Sequence, residues 1–109
     1  MTDTNLQLEY HYKILEKLID EPDISQRDLA KHLGISVGKA NYVLGALIER
    51  GLVKAENFKK SNNKAGYLYV ITPSGILEKA KITRRFLEYK MQEYEQLKIQ
   101  IENLKSKIK

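Results

Sequence analysis

Hydrophobic residues near the start of the chain recur with the spacing of an amphipathic helix. This first predicted helix covers residues 8–19, and Pro22 follows it in the stretch DEPD. Proline cannot continue a helix and favours extended backbone at the preceding Glu21, so the helix is predicted to end before this stretch. The apolar positions at helical spacing are Leu8, Tyr10, Tyr12, Ile14, Leu15, Leu18 and Ile19.

The following segment, residues 25–50, is predicted to form two short helices joined by a tight turn. Ser25 and Ser36 stand where N-cap residues are expected, and Gly34 and Gly51 stand where a helix ends in a left-handed glycine. A short turn fixes two helices at a steep angle, which is the arrangement of a helix-turn-helix.

After Gly51 the period of the pattern changes to that of strands. The stretch LVKAENF (52–58) alternates between two faces, and YLYVI (67–71) is rich in aromatic and β-branched residues. Between them KKSNNKAG is polar and basic, with asparagine and glycine able to take the turn positions of a hairpin. Two strands that return beside a helix-turn-helix form the wing of a winged helix.

A last helix is predicted from TPSG (72–75) to the end of the chain, with Thr72 as N-cap and Pro73 in its first turn. No helix breaker follows, so this helix would span about 50 Å. Its apolar residues repeat every seven positions, with Lys90 as a polar exception, and such a seam favours pairing with a second helix. The residues expected to pair two copies are Leu87, Met91, Tyr94, Leu97, Ile101, Leu104 and Ile108.

Together these elements predict a mainly α protein with a small β-hairpin. A winged helix-turn-helix domain would occupy residues 1–75, and residues 76–109 would form a C-terminal dimerisation helix that pairs as a coiled coil. The length of 109 residues suits one domain with a modest core.

The second helix of the predicted helix-turn-helix has two faces of different composition. The core side holds Ala40, Val43, Leu44 and Leu47. The opposite side holds Gly38, Asn41, Tyr42 and Gly45, with Val37 and Lys39 beside it at the N-terminus. Interior glycines each cost a helix roughly 1 kcal/mol, and this polar face has no packing rationale. Asparagine can bond adenine in the major groove, so the face predicts contact with DNA, although it would also suit an ordinary exposed surface.

Charge is distributed unevenly around a formal net charge of +5. Residues 1–24 carry two lysines against six acids, whereas residues 36–66 carry six basic residues against two acids and residues 73–109 carry nine against five. A basic middle and tail favour a polyanionic partner, and plain solubility is the alternative.

Two further groups of residues are expected to touch double-stranded DNA. Lysines in the wing suit phosphates or the adjacent minor groove, unless they only solvate the hairpin tip. The start of the first helix of the motif offers backbone amides and polar side chains to phosphates. With the recognition helix, the predicted DNA contacts are Ser25, Gln26, Arg27, Ser36, Val37, Gly38, Lys39, Asn41, Tyr42, Gly45, Lys59, Lys60, Asn62, Asn63 and Lys64.

The sequence offers little for catalysis or metal binding. There is no cysteine, and His11 and His32 lack the spacing of a metal site. No phosphate-binding glycine loop or nucleophile arrangement is found in the sequence, so we expect no enzymatic activity, cofactor or metal. The longest apolar run, 67–71, is too short to span a membrane and no signal pattern is found, which favours a cytoplasmic protein.

Three blocks of the sequence resemble the MarR-type winged-helix regulators. These are DISQRDLAKHLGIS, LIERGLVK and GYLYVITPSG, the third of which follows the lysine- and asparagine-rich wing. The resemblance is closest to the exopolysaccharide (EPS)-associated group of that class and extends along nearly the whole chain. It implies a homodimeric transcription factor with residues 36–50 in the major groove and 59–66 as the wing, acting near polysaccharide or capsule genes.

Two features differ from the larger members of that class. Those proteins build a dimer domain from helices at both ends and often bind a small acidic ligand beside it. This chain is predicted to have one helix at each end, which does not favour a small-molecule effector. Its wing carries lysine and asparagine in place of the aspartate and arginine common in the class. The alternative to a DNA-binding regulator is a protein-interaction adaptor that uses the winged helix and the coiled-coil tail.

Overall fold

A computed structural model of the chain describes residues 2–60 and 64–108, with side chains described at residues 7–56 and 67–108. The elements are α1 (Thr2–Asp20), α2 (Gln26–Leu33), α3 (Val37–Glu49), β1 (Val53–Lys60), β2 (Lys64–Ile71) and α4 (Pro73–Lys107). The predicted class, mainly α with a small hairpin and a long last helix, is confirmed. The first helix begins earlier than predicted, and both strands run further toward the hairpin turn.

Local hydrogen bonds explain where the helices begin and end. The side-chain oxygens of Ser25, Ser36 and Thr72 each accept a hydrogen bond of 3.0 Å from the backbone N–H three residues later. Gly34 and Gly51 adopt left-handed backbone with φ of 70° and 76°, as their positions after α2 and α3 predict. The predicted caps are therefore confirmed, and they set the short turn between α2 and α3.

The core lies between the three N-terminal helices, the base of the hairpin and the start of α4. Its buried residues are Leu8, Ile14, Leu15, Leu18, Ile24, Leu29, Val43, Leu44, Leu47, Leu52, Val53, Tyr69 and Ile82. The predicted stripe of α1 supplies the first four of them. Ile19, in the last turn of α1, is instead 54% exposed, although Leu18 beside it is buried.

The hairpin is anchored at its base and extends away from the core. β1 and β2 pair antiparallel, with Val53 opposite Ile71 and Lys60 opposite Lys64. The N–H of Tyr69 donates to the carbonyl oxygen of Pro22 at 2.8 Å, which ties β2 to the loop between α1 and α2. These bonds hold the hairpin beside α3.

The first part of α4 packs antiparallel against α1. The rings of Tyr12 and Phe86 lie with their centroids 4.9 Å apart, and Ile82 is buried between the elements. Lys90 lies 3.9 Å from Glu9 of α1 and 5.4 Å from the ring centroid of Phe86. This contact within one chain explains why the seam carries a lysine at position 90.

Beyond Lys90 the helix leaves the core. Residues 91–108 are all exposed, so α4 has an inner part that completes the core and an outer part that does not. The division of the chain at residues 75 and 76 stays a prediction. The packing of Ile82 shows that the core itself extends past that position.

Gly75, in the first turn of α4, lies directly against the base of the hairpin. A Cβ added there would overlap the carbonyl oxygen of Leu52 and the side chain of Ile71. We expect Gly75→Ala to lower the free energy of unfolding by about 1–3 kcal/mol, because the backbone of both elements must shift. Urea denaturation measures this effect. The control is Gly45→Ala, whose added Cβ would meet no atom within 4 Å, and a stable Gly75→Ala would contradict the predicted overlap.

Candidate nucleic-acid interface

The core fixes which side of α3 points outward. Ala40, Val43, Leu44 and Leu47 are buried, as predicted for the core side. On the opposite side Gly38, Asn41, Tyr42 and Gly45 are exposed, and these four residues are called the α3 outer face. Tyr42 exposes 73% of its surface. The outer face therefore carries one amide and one phenol between two positions without side chains.

The two glycines of the outer face do not serve packing. No atom lies within 4 Å of a Cβ built at Gly45, and at Gly38 the nearest atom is the hydroxyl oxygen of Ser36 at 4.0 Å. Neither glycine has the positive φ that side chains avoid. Because both positions lack a side chain, the backbone of α3 is uncovered on this face, and a binding partner can approach it closely.

The residues at the N-terminus of α3 occupy its flank. Ser36 caps the helix through its hydroxyl, and Val37 is 45% exposed. The ammonium of Lys39 lies 5.7 Å from the centroid of the Tyr10 ring on α1. Lys39 is thus held on the side of α3 that faces α1, away from Asn41.

The start of α2 combines an intramolecular tie with an exposed cation. The amide nitrogen of Gln26 donates to the hydroxyl of Tyr69 at 3.2 Å, and the hydroxyl of Ser25 caps the helix. Arg27 is exposed. Of the three residues predicted here, Arg27 has its charge directed to solvent, whereas the other two already bond within the chain.

A groove separates the α3 outer face from the hairpin, and nothing in the sequence pattern indicated it. Its volume is about 210 Å³, and it is called the α3–hairpin groove. The groove is lined by Gln26, Asn41, Leu44, Gly45, Ile48, Ala55, Tyr67 and Tyr69. Among these, Gln26, Asn41 and Gly45 are predicted DNA contacts. Tyr67 and Tyr69 of β2 are not among the predicted contacts.

A family comparison bears on these same elements. Residues 7–54 match the family model described as winged helix-turn-helix DNA-binding. The match covers most of α1, all of α2 and α3 and the start of β1, and therefore includes the outer face. The fold is a winged helix-turn-helix. Comparison with curated protein sequences finds no match.

Solved structures share this winged helix-turn-helix fold. A ZitR variant from Lactococcus lactis is 20% identical, with a TM-score of 0.59 over 81% of this chain and 57% of that one. A MarR-family transcriptional regulator from Rhodococcus sp. RHA1 is 18% identical, with a TM-score of 0.62 over 91% of this chain and 71% of that one. A MepR variant from S. aureus, bound to an oligodeoxyribonucleotide, is 19% identical, with a TM-score of 0.57 over 99% of this chain and 88% of that one. The chain thus has the fold of MarR-family regulators, and it spans little more than half the length of the ZitR chain.

The wing of the winged helix-turn-helix is described by its backbone. Lys59 and Lys60 end β1, and Lys64 begins β2. The predicted contacts Asn62 and Asn63, together with Ser61, lie outside the described residues. The predicted basic residues of the wing therefore lie next to the hairpin turn, at the end of the hairpin opposite the core.

The tail presents an apolar seam on the outside of the molecule. The seven residues predicted to pair two copies are all exposed, and they are Leu87, Met91, Tyr94, Leu97, Ile101, Leu104 and Ile108. Ile99 is 56% exposed as well but lies off the seam. Such a row of large apolar side chains is unusual on a surface that stays in water.

The described residues show no arrangement for metal binding. Among them no group of three or more His, Cys, Asp or Glu residues could hold a metal ion. His32 is exposed, while His11 is half-buried on α1. Burial lowers the pKa of His11, the charge of Arg50 lowers it further, and Glu78 opposes both effects. Among the helices of the described ranges, none combines the length and the hydropathy that crossing a bilayer requires.

Proposed function

We propose that this protein is a sequence-specific, DNA-binding transcriptional regulator of the MarR type, without enzymatic activity. The α3 outer face carries the proposal, because a capped helix-turn-helix presents Asn41 and Tyr42 outward between two bare glycines. The major groove admits a helix of this kind and offers adenine to an asparagine side chain. Each residue of this face has a role in DNA recognition, whereas packing within the chain explains none of them.

Specificity in this proposal comes from Asn41 and Tyr42. A bidentate amide contact to a base contributes about 1–3 kcal/mol of discrimination against the wrong base pair. Tyr42 would contact a thymine methyl group or donate to a phosphate. Arg27 and Lys39, on the two flanks of the interface, would position the protein on the phosphate backbone without selecting sequence.

We further propose that the regulator is a homodimer that pairs through the outer part of α4. The exposed seam supports this, since seven apolar residues separated by three or four positions gain a large apolar contact only against another helix. Two winged domains held by one coiled coil would place two recognition helices on the half-sites of a pseudo-palindrome.

The finer part of the proposal concerns the genes under control. We place the chain in the EPS-associated group because of GYLYVITPSG and the lysine- and asparagine-rich wing before it. Its targets would then be genes of polysaccharide biosynthesis, and the protein would act in the cytoplasm. The wing lysines would contact phosphates beside the major groove.

A DNA-binding assay tests the proposal directly. We expect the full chain to bind a labelled duplex from the region upstream of its own gene at least about 1,000-fold more tightly than a random duplex, at physiological salt. Fluorescence anisotropy with both duplexes at the same length measures the ratio. Equal affinity for the two duplexes would contradict a specific regulator.

The same assay separates DNA binding from the adaptor alternative, which the exposed apolar tail also favours. The logarithm of the affinity falls linearly with the logarithm of the salt concentration, by about 0.9 per unit for each neutralised phosphate. A DNA-bound dimer should therefore lose affinity steeply as salt rises. A protein-interaction adaptor would show no such slope with DNA and would instead form a stable complex with a partner protein.

A further inference from the structure

Tyr67 occupies an unusual position on the hairpin. Along β2, Ile71, Tyr69 and Tyr67 point to the same side of the sheet, because side chains alternate along a strand. Ile71 and Tyr69 belong to the core or pack on it, and Tyr69 is 5% exposed. Tyr67, two residues nearer the hairpin turn, is 54% exposed. The row of side chains thus passes from the core into the α3–hairpin groove.

The ring of Tyr67 packs against one buried neighbour, Tyr69. It stacks on Tyr69 with the ring centroids 6.2 Å apart and an angle of 24° between the planes. Tyr69 is itself fixed, since its hydroxyl accepts from Gln26 and its backbone N–H donates to Pro22. Tyr67 is therefore a positioned phenol at the rim of the groove.

The opposite wall of the groove comes from α3. Asn41 and Gly45 of the outer face line it, and Leu44 and Ile48 provide apolar surface. Because Gly45 has no side chain, the groove stays open toward the same side as Asn41 and Tyr42. Its volume of about 210 Å³ exceeds that of several water molecules, at about 30 Å³ each.

We infer that the α3–hairpin groove receives the sugar–phosphate backbone of one DNA strand, with the hydroxyl of Tyr67 donating to a phosphate oxygen. This inference rests on the proposed function. With α3 in the major groove, the backbone at the edge of that groove must pass along one side of the helix. The hairpin side offers apolar surface for a deoxyribose and, at Tyr67, a hydrogen-bond donor for a phosphate oxygen.

The chemistry of the lining favours a phosphate strand over a base edge. Tyrosine hydroxyls are common donors to phosphates, and contacts of this type position a protein without selecting sequence. The described lining residues carry no carboxylate that would repel an anion. Gly45 in this arrangement provides clearance for the strand, while Asn41 at the same edge reaches the bases.

Tyr67→Phe tests the contact, since it removes the hydroxyl and keeps the stacking on Tyr69. We expect it to weaken binding about tenfold for each bound copy of the chain, the usual effect of one hydrogen bond to a charged group. The loss should be equal for the upstream duplex and for a random duplex, which leaves their affinity ratio unchanged. Tyr89→Phe is the matched control, because Tyr89 lies on α4 outside the apolar seam and does not line the α3–hairpin groove, and it should bind as the unmodified protein does.

A second arm locates the phosphate. Duplexes that each carry one neutral methylphosphonate are compared for the unmodified protein and for Tyr67→Phe. At one position the modification should lower the affinity of the unmodified protein about tenfold. At that position it should not lower the affinity of Tyr67→Phe further, because both changes remove the same hydrogen bond.

The possible outcomes separate the inference from the proposed function. If the unmodified protein binds the upstream duplex and Tyr67→Phe binds it equally well, the groove contact is wrong and the regulator proposal stands. If Tyr67→Phe weakens only the upstream duplex, the phenol touches a base and the backbone assignment is wrong. If the unmodified protein binds neither duplex, both proposals fail.

Discussion

Gly45→Glu is expected to abolish DNA binding while the protein stays folded. The new side chain would project from the α3 outer face, where no atom of the chain lies within 4 Å of a Cβ at this position. A carboxylate brought against DNA phosphates is a like-charge contact that costs several kcal/mol, so affinity should fall by at least about 100-fold. The fold should not suffer, because glutamate favours helix more than glycine does.

Two measurements and two further variants make this result decisive. Anisotropy with the upstream duplex measures affinity, and urea denaturation measures the free energy of unfolding. Gly45→Gln is the matched control for size, since it differs from Gly45→Glu in charge alone and should retain more affinity. Gly38→Glu repeats the test about two turns nearer the N-terminus of the same face. Intact affinity in folded Gly45→Glu and Gly38→Glu would show that this face does not enter the groove.

Ile101→Glu is expected to convert the protein from a dimer into a folded monomer. In the proposed coiled coil it would place a carboxylate in the apolar seam of both chains, where an unpaired buried charge costs several kcal/mol. The winged domain would not change, since residues 91–108 are exposed in the single chain and make no part of its core. Sedimentation over a range of concentrations measures the mass.

The chain offers a close control for the seam. Ile99→Glu introduces the same charge at a residue that is 56% exposed, compared with 41% for Ile101, but it lies off the seam. It should leave the dimer mass unchanged. A stop after Lys90 gives a second test, because it keeps the contacts of Phe86 and Lys90 with α1 and removes the rest of the seam. A dimer in Ile101→Glu or in this shortened chain would contradict pairing through the outer part of α4.

Local signals in the sequence account for most of the predicted fold. The starts of α2, α3 and α4 each depend on a hydroxyl that bonds a backbone amide three residues later, and Gly34 and Gly51 end helices through their own backbone preference. Such interactions join neighbours in the chain, so residue type and spacing suffice to predict them. The two faces of α3 follow in the same way from helical period, although contact with DNA at those residues stays a prediction.

Contacts between distant elements were not predictable in this way. The α3–hairpin groove depends on how β2 sits beside α3, and that placement comes from the bond between Tyr69 and Pro22 and from the bond to Gln26. No pattern within a single stretch of the sequence predicts either bond. Tyr67 and Tyr69 were for this reason recognised as strand residues but not as part of a candidate site.

The same limitation explains the differences along the helices. Ile19 fits the period of α1, yet its exposure depends on where the neighbouring elements end. Lys90 breaks the apolar pattern of the seam, and only its distance to Glu9 shows that it serves the packing of α4 on α1. A periodic pattern identifies a face of a helix but does not say which element covers each part of it.

The continuity of α4 has a geometric consequence for the proposed dimer. One unbroken helix of 35 residues runs from the base of the wing through the core to the seam, so in the proposed dimer it would connect the winged domain rigidly to the partner chain. Adding or removing a single residue between Lys90 and Leu97 would turn the winged domain by about 100° around the axis of this helix. In the proposed dimer, the length of α4 would therefore determine which spacing of half-sites the protein can bind. Its influence on the choice of operator would equal that of the side chains that contact the bases.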